Sequence, residues 1–197
     1  MANHYVIEPS RTAVLSMDMQ AGIVSIYAKD QEGFIERAAS VLAKARELGA
    51  RVIHIKVGFR IGLPEVSSRN ALFNAVKTSE KHQRLFAGEM GEIHPALGPA
   101  DDDIVITKHR ISAFIGTDLD MILRANEIET LVLFGIATSG VVLSTLVDAV
   151  DMDYRVIVIK DCCTDNEPEL HQCLIEKYFS KRGTVISASE FLSPAKE

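Results

Sequence analysis

At 197 residues, 47% of them hydrophobic, the chain has the size that one core can serve, so a single domain over residues 1–197 is expected. Its 21 Lys and Arg against 27 Asp and Glu give a net charge of −6, which supplies no cationic field for a polyanion and argues against nucleic acid as a partner. No apolar run reaches the roughly 18 to 20 residues that cross a bilayer, and Glu8 and Arg11 precede the first apolar stretch in place of a signal peptide, so no membrane partner and a cytoplasmic location are expected.

The first apolar run, Thr12 to Met17, reads as a strand buried on both faces, which puts Asp18 at its carboxyl end. From Glu32 onward Phe34, Ile35, Ala38, Ala39, Leu42, Ala45 and Leu48 recur at three and four, the period that lines one helix face. Gly49 is free to take positive φ at the stop, and Arg51 to Val57 follows as the next strand. Ile104 to Thr107 reads as a strand, Leu119 to Arg124 as a helix with Thr117 and Asp120 as candidate caps, and Thr130 to Phe134 as a strand. Val142 to Met152 then reads as helix, Arg155 to Ile159 as strand, Pro168 to Phe179 as helix and Thr184 to Ile186 as a last short strand. Strands separated by helices imply right-handed crossovers, and hence an α/β fold: a three-layer α/β/α sandwich around a doubly wound parallel sheet.

The stretch from Gly58 to Asp103 is irregular, with Gly62, Pro64, Gly88, Gly91, Pro95, Gly98 and Pro99 around two short helical candidates. Its apolar Phe59, Leu72, Phe73, Val76, Leu85, Phe86 and Ile93 need burial, so a pocket wall or an oligomer contact is expected rather than a linker.

Side chains just past the carboxyl ends of parallel strands point into the crevice where ligands sit. Asp18, Lys108 and the turn from Gly135 to Val141 occupy such positions, on three different strands. Asp18 and Lys108 form either a proton-transfer group held by a fixed charge or an ordinary buried ion pair. The amides of the turn either receive an anion or developing oxyanion, or simply join strand to helix. Arg60 and Arg110 lie near strand ends, where a guanidinium either receives a substrate carboxylate bidentately or is a solvated surface charge, and Glu65 and Arg69 are polar contacts or surface charges in the same way.

Cys162 and Cys163 follow a strand and either line the crevice or act as small buried hydrophobes. With Cys173 they make no disulfide framework. His54, His82, His94 and His109 show no metal-ligand spacing, so no metal is expected. Neither a Gly-x-Gly-x-x-Gly turn nor a phosphate loop with lysine is present, and no cofactor is expected.

The blocks LSMDMQ at Leu15 to Gln20, TKHRISAF at Thr107 to Phe114 and GIATSGVVLSTLVDA at Gly135 to Ala149 resemble, in order and spacing, the isochorismatase-like superfamily. That superfamily, also called the cysteine hydrolases, includes nicotinamidases and N-carbamoylsarcosine amidases, and the resemblance spans nearly the whole chain. It implies a Rossmann-like three-layer sandwich of about six parallel strands and a hydrolase with an Asp, Lys and Cys triad. Asp18 stands for the Asp, Lys108 for the Lys and Val141 for the nucleophilic Cys. Placement and resemblance together give an expected substrate-binding set of Gln20, Arg60, Arg110, Phe114, Ile136, Ala137, Thr138 and Gly140, and the resemblance implies a non-proline cis peptide at Ile136 and Ala137. Nicotinamidases of this family also hold a divalent metal through an Asp-x-His pattern after the second strand, which the segment Val57 to Gly62 lacks.

Val141 has no lone pair and no acid proton, so the family's thioester route is closed at that position. Thr138, Ser139 and Ser144 lack the base and trajectory that the family geometry gives to position 141. True isochorismatases typically carry glycine there and cleave a vinyl ether by protonation from the Asp and addition of water, for which Asp18 and Lys108 suffice. Ala137 stands where those enzymes carry a tyrosine, so isochorismate itself is not the expected substrate. Two readings follow: a hydrolase acting on a small carboxylated or amide-like metabolite through the Asp/Lys pair, or a catalytically inactive family member that binds a small ligand or serves as an assembly partner. A homodimer or homotetramer is expected from the apolar surplus of the Gly58 to Asp103 stretch.

Overall fold

The structure is a computed structural model that describes residues 7–28 and 31–193. A helical turn at Pro9–Arg11 leads into β1 (Thr12–Met17), α1 (Ala21–Tyr27), α2 (Phe34–Leu48) and β2 (Arg51–Val57). The long excursion carries α3 (Ala71–Lys77) and α4 (Glu80–Arg84) before β3 (Ile104–Lys108), α5 (Leu119–Ala125) and β4 (Thr130–Ile136). The chain then continues through α6 (Leu143–Asp151), β5 (Arg155–Thr164), α7 (Pro168–Cys173), β6 (Thr184–Ile186) and α8 (Ala188–Leu192).

All six strands are parallel, in the order β3-β2-β1-β4-β5-β6. The chain therefore builds outward from β1 on one side and outward from β4 on the other. Connections leaving β1 and β4 diverge, and the crevice they open at the strands' carboxyl ends is where such sheets bind ligands. β1 and β4 are buried along their whole length, which is why their sequences read as unbroken apolar runs. β3 lies at the edge, and its alternation buries Ile106 and Lys108 while leaving Val105 and Thr107 exposed. The helices cover the sheet, with α2 on β2 and β5 beside α8, and α6 on β5. The buried face of α2 is Phe34, Ala38, Val41, Leu42 and Ala45; burying each large apolar side chain of this kind contributes about 1.5 to 3 kcal/mol.

β5 departs from the sequence expectation by running on to Thr164. Its pairing with β4 shifts between Leu133, opposite Val158, and Gly135, opposite Cys163, so the strand bulges and resumes. Cys162 and Cys163 consequently sit inside β5 and not beyond it. Both are buried, and burial pushes both thiols up, Cys163 to about 12, which corrects the idea that one of them lines the crevice as a nucleophile.

Three helical segments also differ. α1 has only Gly22 and Val24 buried, too little to write a helical period. α8 is announced by a capping box between Ser187 and Glu190, unread in the sequence. The predicted helix from Pro168 to Phe179 begins as α7 but widens into a π-helical turn at Leu174–Tyr178 and tightens at Phe179–Lys181. At α5, Thr117 Oγ1 accepts the Leu119 N–H at 3.3 Å, whereas Asp120 pairs with Arg124 at 3.0 Å along the helix. Among the described residues no helix is long and apolar enough to cross a membrane.

The excursion is fastened back onto the sheet. Gln20 is fully buried; its Oε1 accepts the Val57 N–H at 2.8 Å and its Nε2 donates to Val57 O at 2.9 Å and Gly91 O at 2.8 Å. Gly22 permits the close approach that follows, because a Cβ there would lie 2.5 Å from the carbonyl oxygen of Leu85. Phe59 sits against Phe73 and Phe86 in a satellite core with Val57, Val66 and Leu63.

Candidate active site

Asp18 is the first residue past β1. Its N–H still donates to Ile55 O at 2.8 Å, but its φ of 54° turns the chain out of the sheet, into the crevice. Lys108 ends β3, two strands away across β2. At about 4.8 Å per strand that gap needs a long side chain, and Lys108 crosses it: Nζ lies 2.8 Å from Asp18 Oδ2 and donates to Arg110 O at 3.0 Å. Only 1% of Lys108 is exposed. Asp18 Oδ1 is buried without a hydrogen-bond partner. Burial raises the Asp18 pKa above the ordinary carboxylate value, and the adjacent ammonium opposes the rise without cancelling it.

The turn after β4 is built by a close approach. Gly135 pairs with Met17 of β1, its φ is 147°, and a Cβ on it would lie 2.0 Å from the Met17 carbonyl oxygen, so only glycine fits. The Ile136–Ala137 peptide is cis, and Thr138–Val142 forms a wide π-helical turn ahead of α6. Much of this turn's donor capacity is used within the protein. Ser139 N–H donates to Asp165 Oδ2 at 2.7 Å, and the Gly140 and Val142 N–H groups donate to Ala137 O at 3.1 and 3.3 Å. Of the two readings of this turn, an anion-receiving one has fewer free amides to draw on, because a carboxylate of the protein itself already takes the Ser139 N–H.

Asp18, Lys108 and Val141 line one cavity of about 380 Å³, together with Ile136, Ala137 and Gly140. Ser139 and Asp165 complete the polar part of the wall. The rest is apolar or aromatic: Ile23 and Tyr27 from α1, Val57 from β2, Leu72, Phe73 and Val76 from α3, and Phe86 and Ile111. The excursion thus forms one wall.

Five of the expected substrate contacts lie elsewhere. Gln20 spends its amide on Val57 and Gly91 as described. Arg60 projects outward with 69% of its side chain exposed, 3.7 Å from Glu65. Arg110 donates to His109 O at 2.6 Å and Glu65 O at 3.0 Å and does not line the cavity. Phe114 is buried in the core and stacks on Tyr154 with ring centroids 6.1 Å apart. Thr138 is buried, its Oγ1 donating to Thr164 O at 3.1 Å and lying 2.8 Å from His171 Nδ1. Except for the exposed Arg60, each is satisfied by backbone or core neighbours that sequence spacing cannot reveal. Sequence reasoning missed Asp165, whose signal was the true end of β5 one residue earlier, and Ile23 and Tyr27, which had none because α1 went unrecognised.

The nicotinamidase type of metal centre does not fit these residues. After β2 the chain offers Phe59, packed among aromatic rings, and Arg60; His109 Nδ1 lies 2.6 Å from Gly58 O. Among the described residues no group of three or more His, Cys, Asp or Glu is gathered as a metal set, and no step is derived through a metal.

The whole chain is similar to known proteins. The family model of the isochorismatase domain matches residues 12–190. The chain is 32% identical over 201 residues to the uncharacterized isochorismatase family protein YwoC of Bacillus subtilis, covering 100% of both chains. It is 32% identical over 207 residues to the ureidoacrylate amidohydrolase RutB of Acinetobacter baylyi, covering 95% of this chain and 84% of that one. Its fold superposes on a cysteine hydrolase from Pseudomonas syringae pv. phaseolicola with a TM-score of 0.85 at 24% identity, over 98% of this chain and 97% of that one.

Proposed function

We propose, for a chain that belongs to the isochorismatase family, a hydrolase that cleaves an amide-like bond in a small metabolite by proton transfer at Asp18, with no covalent intermediate. The observation that carries this reading is the position of one carboxylate: Asp18 lines the cavity at the end of β1 and is held at 2.8 Å by Lys108, with burial raising its pKa. An amide-like substrate is favoured because a relative of 32% identity is a ureidoacrylate amidohydrolase.

In this mechanism the Asp18 carboxylate takes a proton from water as the water oxygen attacks the carbonyl carbon. The tetrahedral intermediate then collapses, the C–N bond breaks, and Asp18 returns the proton to the leaving nitrogen. Burial makes Asp18 a stronger base than a free carboxylate, and Lys108 keeps it ionised and oriented. Val141 forms no bond and serves as wall. Residues 1–197 are read as the one domain that carries this chemistry.

An untargeted metabolite-depletion screen with wild type and Asp18→Asn tests activity and site together. Depletion by wild type, none by Asp18→Asn and no mass adduct on the protein is the expected result. An acyl adduct on Thr138, Ser139 or a native cysteine overturns the non-covalent route. Binding without depletion favours the alternative of an inert ligand-binding member, which Val141 supports. The reading includes a homodimer or homotetramer, supported by the apolar groove that Ile111, Ile115, Leu143 and Val147 line; light scattering that finds only monomer at micromolar concentration removes it.

A further inference from the structure

The polar balance of the cavity bears on what enters it. Among the described residues, two carboxylates, Asp18 and Asp165, line it against one ammonium, Lys108, and that ammonium is committed to Asp18 at 2.8 Å. No arginine among them lines it: Arg60 points outward to Glu65, and Arg110 is held by two carbonyl oxygens. Among the described residues a carboxylated substrate would meet Asp165 and no free cation, and like charges held close together repel.

Asp165 itself is fixed. Its Oδ2 accepts the Ser139 N–H at 2.7 Å and its Oδ1 the Glu167 N–H at 3.3 Å, so the negative charge is held at the end of β5; among the described residues no lysine or arginine pairs with it, and its neighbour His171 has its pKa lowered by burial, against the pull of Asp165. Tyr27, on the same wall, has its hydroxyl pKa pushed up, first by burial and then by the charge of Asp165. Three aromatic residues, Tyr27, Phe73 and Phe86, line the space nearby, and aromatic surfaces favour cations.

Taking the Asp18 cavity as the substrate site, we infer that its substrate class is a small apolar amide bearing a protonated amine, with Asp165 as the counter-ion that receives the ammonium. Asp165 is a specificity residue in this assignment. It discriminates by charge and takes no part in the proton transfer at Asp18.

Three probes of one size, benzylammonium, benzamide and benzoate, test the inference by calorimetric Kd at neutral pH and low salt. Benzylammonium is expected to bind at least about tenfold tighter than benzoate, with benzamide between them. Asp165→Asn keeps an oxygen for the Ser139 N–H and gives up only the exposed, longer bond from the Glu167 N–H, so it should fold and lose most of the preference for the ammonium over benzamide. In wild type, raising ionic strength about tenfold should weaken benzylammonium and leave benzamide unchanged, a readout that decides the matter even if the variant is poorly folded.

Benzoate binding as tightly as benzylammonium, a preference unmoved in Asp165→Asn or by salt, or no binding of any probe overturns the assignment. The outcome is separable from the proposed chemistry. Turnover of a carboxylated metabolite sinks the substrate class and leaves Asp18 in place, whereas the charge ranking without turnover of any amine-bearing amide sinks the hydrolysis and leaves the binding preference.

Discussion

Lys108→Met removes the charge and keeps most of the buried stem, so it isolates the ion pair. Both partners are nearly inaccessible, with side-chain exposures of 2% for Lys108 and 13% for Asp18, and Asp18 Oδ1 already has no partner. Breaking such a pair from one side costs about 3 to 5 kcal/mol, because the other charge is left buried and alone. About 1 kcal/mol of the loss is the hydrogen bond to Arg110 O and does not depend on pH. The remainder does, since Asp18 escapes the penalty by taking a proton. Its folded pKa is already raised in wild type and rises further once the opposing ammonium is gone. A group with a raised folded pKa contributes stability that is present below its unfolded pKa and lost as pH rises through the folded one. The stability gap between wild type and variant should therefore be about 1 kcal/mol in acid, widen by about 1.4 kcal/mol per pH unit between the two folded pKa values, and level off at the full cost. Urea midpoints from about pH 4 to about pH 8 at constant m-value measure it. Asp18→Asn together with Lys108→Met should recover most of the neutral-pH loss. A gap that is the same at every pH, or one below about 1 kcal/mol at neutral pH, refutes the reasoning.

The same pair sets the pH profile: if Asp18 is the base, kcat/KM falls as pH drops through its raised pKa, and Lys108→Met moves that limb to higher pH; a limb within or below the ordinary aspartate range counts against the assignment. Val141→Cys, nearly volume-conserving, places a thiol in the cavity shared with Lys108; in a Cys173→Ser background iodoacetamide should label residue 141 before Cys162 and Cys163, whose thiols burial has raised, and the opposite order in peptide mapping would mean that the cavity does not activate a thiol there. Gly135→Ala drives a methyl to 2.0 Å from Met17 O at a φ of 147° and should cost at least about 2 kcal/mol in thermal or urea unfolding; a variant as stable as wild type would mean that β1 and β4 separate freely at the site.

Much of the frame was legible because hydrophobic periodicity is local. β1, β2 and β6 run as expected from Thr12, Arg51 and Thr184, since each is a short apolar run between polar ends. The positions of Asp18 and Lys108 follow from such runs in β1 and β3: each sits where a strand stops, and parallel strands stop at one edge of the sheet. The six-stranded parallel architecture followed in the same way from the alternation of strand and helix periods.

The wall of the site was settled differently. β5 extends to Thr164 because it re-pairs with β4 beyond a bulge, a match between two segments that neither writes alone, and the extension is what delivers Asp165 to the cavity. Arg60, Arg110 and Gln20 sit near strand ends as their spacing requires, yet each turns to a carboxylate or carbonyl left by another part of the chain. A long polar side chain has many rotamers and goes to whichever buried donor or acceptor lacks a partner, and that vacancy exists only once the other segments have packed. Burial pattern is carried residue by residue along the chain; polar partnership is a property of the assembled molecule.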